Sequence, residues 1–331
     1  MSAQRFRVLP RNQGITEYDK HRREIGKYAT VVAFLLPGLV IFALFLIIPV
    51  IQSAYLSVYR WNGFGPPTNY VGLANYDRLL NHDIFGKAVS HSLMIVVLSL
   101  TTQLPLALGL ALLVGRGKLP GKAVFRMAFF IPYVFSEIIT AIIWGYVFHP
   151  HEGLVNSTFK LIIPGYENHA WLGHQDTVML AIFIVISWKY FGMHMILYMA
   201  GLQGVPRDQE DAARVDGASE LQVLRYVTLP CMGSTIRLTI YLSVLGSLQQ
   251  YIIPWTLTEG GPVNASEVMV TYLYKFGIQR FHLGYGSAIA VVLFLTTLVF
   301  SLGYQRTVMR QDYADDMLVA KQGIGRWKKI N

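Results

Sequence analysis

The chain has 331 residues, of which 53% are hydrophobic and only 14% charged, more apolar than a water-soluble core requires. A formal charge of +9 invites a nucleic-acid reading, but the basic residues gather at the ends and in alternate loops, not along one face beside exposed aromatics. The single cysteine, Cys231, excludes an internal disulfide and a cysteine metal cluster, and the composition as a whole places the chain among membrane proteins.

Residues 1–28 form a polar tail carrying Arg5, Arg7, Arg11, Lys20, Arg22, Arg23 and Lys27. The membrane potential and the insertion machinery retain such a cluster inside, so the N-terminus is expected to be cytoplasmic. The apolar run that follows lacks a small-x-small cleavage site and is expected to stay as a signal anchor. Six apolar stretches are read at 29–52, 92–114, 124–148, 177–202, 233–257 and 283–304, each near the roughly 20 residues that span the hydrocarbon. The predicted fold is therefore all-α, a polytopic bundle of six transmembrane helices over 29–310, with a second cytoplasmic tail at 311–331. Charge tests the count: the inside segments hold seven, four, four and six Lys or Arg, whereas the outside loops together hold six. Lys189 is left alone at membrane depth.

Pro37, Pro105, Pro132 and Pro254 fall within these stretches and predict kinks. Near Pro105 the hydroxyls of Thr101 and Thr102, or neighbouring helices, are expected to satisfy the freed carbonyls.

Between the fourth and fifth stretches lies a polar island, residues 206–230. Pro206 suits a first helical turn, and Asp208, Glu210 and Asp211 favour its positive end. Gly217 supplies a stop, and Ser219 followed by Gln222 has capping-box spacing. The prediction is a helix, a sharp turn and a second helix running toward Pro230.

This island resembles the cytoplasmic signature loop of permease subunits from binding-protein-dependent ABC importers: Glu-Ala-Ala, three residues, Gly, nine residues, Ile-x-Leu-Pro. The matching positions are Asp211, Ala212, Ala213, Gly217, Val227, Leu229 and Pro230. Asp211 stands where the family usually has Glu, and Val227 where it often has Ile. The shorter Asp arm is expected to rearrange the pairing that the family's Glu makes. Two outer stretches are similar to those of carbohydrate-transporting permeases of the maltose and sn-glycerol-phosphate type: Tyr70-Val71-Gly72-Leu73-Ala74-Asn75-Tyr76, and Thr258-Glu259-Gly260-Gly261-Pro262 with Asn264-Ala265-Ser266-Glu267. Gly-Gly-Pro forces a turn, and Ser266 is expected to cap the segment that returns to the membrane.

The resemblance implies a bacterial inner-membrane importer subunit working with a second homologous permease, two ATP-binding subunits and an extracytoplasmic solute-binding protein. The chain itself lacks Gly-x-x-x-x-Gly-Lys-Ser/Thr, so ATP and Mg are assigned to the partner subunits and this chain is expected to hold no cofactor and to be no enzyme.

Polar groups at membrane depth mark function by default. The candidate substrate path comprises Glu137, Lys189, Tyr190, His194, Gln249, Gln250, Tyr251 and Trp255. Amides and charges suit sugar hydroxyls, and aromatic rings suit sugar C–H faces. An ion pair between Glu137 and Lys189 is the structural alternative. His149, His151, His169 and His174 match no strong ligand spacing, and no metal is expected. Competing readings are a self-contained ion- or proton-coupled carrier with Glu137, Lys189 and His194 as a relay, a membrane scaffold, and an importer of polyols or glycerol phosphodiesters.

Overall fold

The computed structural model describes residues 17–116 and 121–310. The basic cluster of residues 5–11, Lys118 and the C-terminal tail with Arg326, Lys328 and Lys329 lie outside the described residues. The chain divides into two units, 1–55 and 56–331. The first is dominated by a helix, α1, Tyr28–Leu56, which continues through Pro37 and carries a wider π-helical stretch at Ala43–Ile47.

The second unit is entirely helical in its regular structure among the described residues, with one isolated bridge, Tyr59 to Tyr70, at its start. Asn75 of the short helix α2, Ala74–Leu80, donates to the carbonyls of Ser57 (2.8 Å) and Tyr59 (3.0 Å), which fixes the Gly-Leu-Ala-Asn-Tyr stretch against the incoming chain. Helix α3, Asp83–Gly115, is the second long apolar rod, beginning earlier than hydropathy alone marks. It widens into a π-helical turn at Ser99–Gln103, just before Pro105. There Thr101 and Thr102 donate to Val97 and Leu98, one turn earlier than the carbonyls that Pro105 releases, so the wider turn relieves the proline instead.

The third apolar stretch is not one rod. It breaks into α4, Lys122–Val134, and α5, Glu137–Val147, which bend by 103°. Pro132 weakens the last turn of α4, Phe135 is extended, and Ser136 caps α5 by accepting from the Ile139 amide at 3.2 Å. A short helix, α6, Leu154–Ile162, follows, held by Asn156, which donates to the carbonyls of Pro150 and His169 and accepts from Tyr166 and Trp171.

Helix α7, Gln175–Gln203, is the axis of the unit. It is apolar nearly all round and buries side chains on every face, which is what a helix surrounded by neighbours requires. Gly192 lets α4 approach so closely that a Cβ there would lie 1.9 Å from the Phe129 carbonyl oxygen. Buried Ile182, Val185 and Ile186 pack near Ile95 and Ile253, and Met195, Tyr198 and Met199 pack with Ala107, Ala111 and Val114 of α3.

The polar island forms α8, Arg207–Val215, and α9, Glu220–Cys231. Pro206 stands just before α8 as its N-cap instead of within the first turn. A 70° bend leads into α10, Gly233–Leu248, and the chain opens at Gln249, Gln250 and Tyr251 before α11, Ile252–Thr258. The Gly-Gly-Pro turn follows, with a cis Gly261–Pro262 bond. Ser266 does not cap the returning segment. It donates to the Gly261 carbonyl and bonds Thr258, while the first amide of α12, Met269–Tyr272, donates to Ser92 at 3.1 Å. Buried Glu267 meets Lys275 at 3.1 Å beneath the turn. Helix α13, Leu283–Thr307, is the last helix among the described residues. Among the described residues, four helices are long and apolar enough to cross a membrane, or up to six if each bent pair counts as one span.

Candidate functional site

A cavity of about 350 Å³ lies where α3, α5, α7 and α10 meet the opened segment 249–251. Each element offers polar groups by helical spacing. Ser99 and Gln103 are four apart on the π-helical turn of α3, Tyr190 and His194 four apart on α7, and Ser243 and Ser247 four apart on α10. Glu137 enters from the first turn of α5, a position created by the break at Ser136. Gln249, Gln250 and Tyr251 contribute because the helix opens there.

Six of the eight residues singled out in the sequence therefore line one space: Glu137, Tyr190, His194, Gln249, Gln250 and Tyr251. Trp255 stands behind them, 6.2 Å from the Tyr251 ring and 4.8 Å from that of Tyr274, centroid to centroid. Lys189 is buried on another face of α7. Its ammonium donates to the carbonyl oxygens of Tyr133 (3.1 Å) and Phe135, and it sits 5.6 Å from the ring centroids of Tyr133 and Tyr190. It thus satisfies carbonyls that the broken span leaves without helical partners. The Glu137–Lys189 ion pair is not formed; Glu137 accepts from the Tyr190 hydroxyl instead. No hydrogen bond among the described residues links Glu137, Lys189 and His194 into a relay.

Four buried polar atoms around this cavity have no partner among the described residues: Gln103 Nε2, His194 Nδ1, Ser243 Oγ and Gln250 Oε1. Their residues are all less than a tenth exposed. An unmade hydrogen bond in such a place costs about 1–3 kcal/mol, so these four groups, brought from α3, α7, α10 and the opened segment, are free to bond whatever polar molecule enters the cavity. They offer both a donor and an acceptor, and none carries a formal charge when His194 is neutral. Ser99, Gln103, Ser243 and Ser247 escape a search for charged or aromatic residues. For Ser243 and Ser247 the sequence signal is the polar stripe at 243, 247 and 250; Ser99 and Gln103 show theirs only as two polar residues four apart.

The polar island presents a different chemistry. Gly217 has φ +86°, and Ser219 and Gln222 make the reciprocal capping box. Asp211 is exposed and pairs with Arg214 at 2.8 Å, while Arg214 also meets Glu220 at 2.8 Å across the turn. The hydrogen bonds that Arg214 donates to Glu220, and then to Asp211, push its pKa upward. The buried carboxylate is the preceding residue, Glu210, which accepts from the Thr228 hydroxyl and ties α8 to α9. Ala212 is exposed and Ala213 half-buried; Val227 and Leu229 are half-buried and Pro230 exposed. Val215, Leu221 and Tyr226 expose their apolar side chains beside them.

The histidines at 149, 151, 169 and 174 make local contacts. His149 accepts from the amides of His151 and Glu152, and the rings of His169 and His174 stack with centroids 4.6 Å apart. No group of three potential ligands that could hold a metal occurs among the described residues.

Comparison with known proteins places this geometry in context. Residues 103–311 match the family described as binding-protein-dependent transport system inner membrane component. A probable ABC transporter permease protein, YurN, of Bacillus subtilis is 34% identical over 271 residues, 81% of this chain and 92% of that protein. The diacetylchitobiose uptake system permease protein NgcF of Streptomyces coelicolor is 32% identical, over 81% of this chain and 79% of the relative. Among solved structures, a chain of the bacterial alginate ABC transporter, crystallised with an alginate pentasaccharide-bound periplasmic protein, superposes with a TM-score of 0.75 at 24% identity. That match covers 87% of this chain and 96% of the other.

Proposed function

Because this chain belongs to the family of binding-protein-dependent transport system inner membrane components, we propose that it is one of two permease subunits forming the translocation path of a bacterial ABC importer for a carbohydrate. Counting each bent pair as one span gives six crossings, with both termini and the 206–230 loop on the cytoplasmic side, in keeping with the positive-inside distribution. Two ATP-binding subunits bind ATP and Mg, and a solute-binding protein delivers the substrate from outside.

The observation that carries the reading is the wall of unpartnered buried polar atoms with Tyr190 and Tyr251 beside it. Hydroxyls of a sugar both donate and accept, which matches amide, hydroxyl and imidazole groups left open on both counts. The names of relatives agree in kind: diacetylchitobiose for the Streptomyces protein, arabinooligosaccharides for one from Bacillus subtilis, and trehalose and maltose for one from Thermococcus litoralis. Closure of the ATPase pair moves the α8–α9 loop as a unit, since Glu210–Thr228 and Arg214–Glu220 tie its halves, and this biases the cavity between inward and outward states.

The test is uptake by the complete importer. Gln249→Ala and Tyr251→Ala each lower sugar transport severalfold while ATP-binding subunits remain associated; unchanged transport in both would remove the cavity from the path.

A further inference from the structure

The cavity wall is charged in one sense only. Among the described residues, its lining contains the Glu137 carboxylate and no lysine or arginine. The nearest cation of the same region, Lys189, is turned away and held by the carbonyls of Tyr133 and Phe135. Glu137 itself is anchored, because the Tyr190 hydroxyl donates to it and the N-terminus of α5 favours its charge. An occupant of this space therefore meets neutral hydrogen-bonding groups and one fixed carboxylate.

We propose that Glu137 is a specificity-determining residue that admits neutral sugars and rejects acidic ones, so that uronates, sulfonates and phosphodiesters are excluded at the permease as well as by any delivering protein. The proposal rests on the cavity being the sugar path. The physical argument is that of discrimination by repulsion: a like charge brought against a carboxylate in a partly dehydrated cavity is disfavoured, while a neutral hydroxymethyl group at the same position is not. Lys189 stays outside the lining but close to it, its ammonium 5.6 Å from the ring centroid of Tyr190, whose hydroxyl donates to Glu137. Removing the Glu137 charge leaves Lys189 as the local formal charge, so Glu137→Gln changes the sign of the field an occupant feels.

Among the described residues, the cavity lining of this chain contains no lysine or arginine with which to receive an acidic occupant.

The experiment uses the assembled importer in lipid nanodiscs without the solute-binding protein, so that the latter's selectivity does not enter. Binding of methyl glucoside and methyl glucuronide, which differ in a hydroxymethyl against a carboxylate, is followed by saturation-transfer NMR. Wild type is expected to bind the glucoside at least about tenfold more tightly than the glucuronide. Glu137→Gln brings the two within about threefold or inverts them, and Glu137→Asp, which keeps the charge, retains the wild-type order. Equal binding of both probes by wild type, or an unchanged ratio in Glu137→Gln, overturns the inference while leaving the cavity as the sugar site. Loss of both probes in wild type overturns the site reading and this inference with it.

Discussion

The α8–α9 loop and the membrane cavity are both polar interruptions in an apolar chain, but they are built in opposite ways. The loop is assembled from neighbours in sequence: Asp211 with Arg214, Arg214 with Glu220, Ser219 with Gln222, and a left-handed Gly217 between them. Its paired charges, Asp211, Arg214 and Glu220, are solvated. The cavity draws Ser99, Glu137, His194 and Gln250 from segments scattered over some 150 residues, and several of its buried polar atoms have no partner among the described residues. A surface that transmits motion needs internal rigidity, whereas one that receives a changing occupant needs open valences.

This contrast is sharpened most by Gly217→Asp. The residue sits at φ +86°, where a side chain is strained by roughly 1–3 kcal/mol. No atom lies within 4 Å of the added Cβ, so the effect is conformational and not a clash. Uptake is expected to be abolished with normal membrane abundance, measured by transport and immunoblot; full activity would dissolve the loop's coupling role. Lys189→Met tests the other region and has an intermediate effect. It strips the donors from the Tyr133 and Phe135 carbonyls, at a cost of about 1–3 kcal/mol for an unsatisfied buried group. The expected readout is a lower unfolding midpoint in detergent. Asp211→Ala has the smallest effect, less than about twofold on uptake, because the pair is exposed and Arg214 retains Glu220.

The same difference decides what could be read from the sequence. Gly217, Ser219 and Gln222 obey local rules of turn and cap, so the helix, turn and helix were legible to within a residue at Pro206. The apolar stretches were legible as well, since length and hydropathy require no partners. The break at Phe135 and Ser136 was not, because hydropathy continues unbroken through it and only the pairing with Lys189, over fifty positions away, makes the exposed carbonyls tolerable. For the same reason Lys189 reads as a cavity residue in sequence and becomes a structural one in space. Glu210 was overshadowed by Asp211 at the signature position, although only its orientation toward Thr228 distinguishes the buried carboxylate from the exposed one.

The central claim is that this chain is a permease moved by partner ATPases around a sugar-binding cavity. Its most direct test is purification of the tagged chain in mild detergent, with identification of the subunits recovered and assay of ATP hydrolysis. The account predicts an ATP-binding subunit and a second permease in the complex, with ATPase activity. Recovery of the chain alone or as a homo-oligomer, without ATPase under conditions that preserve such complexes, would contradict it.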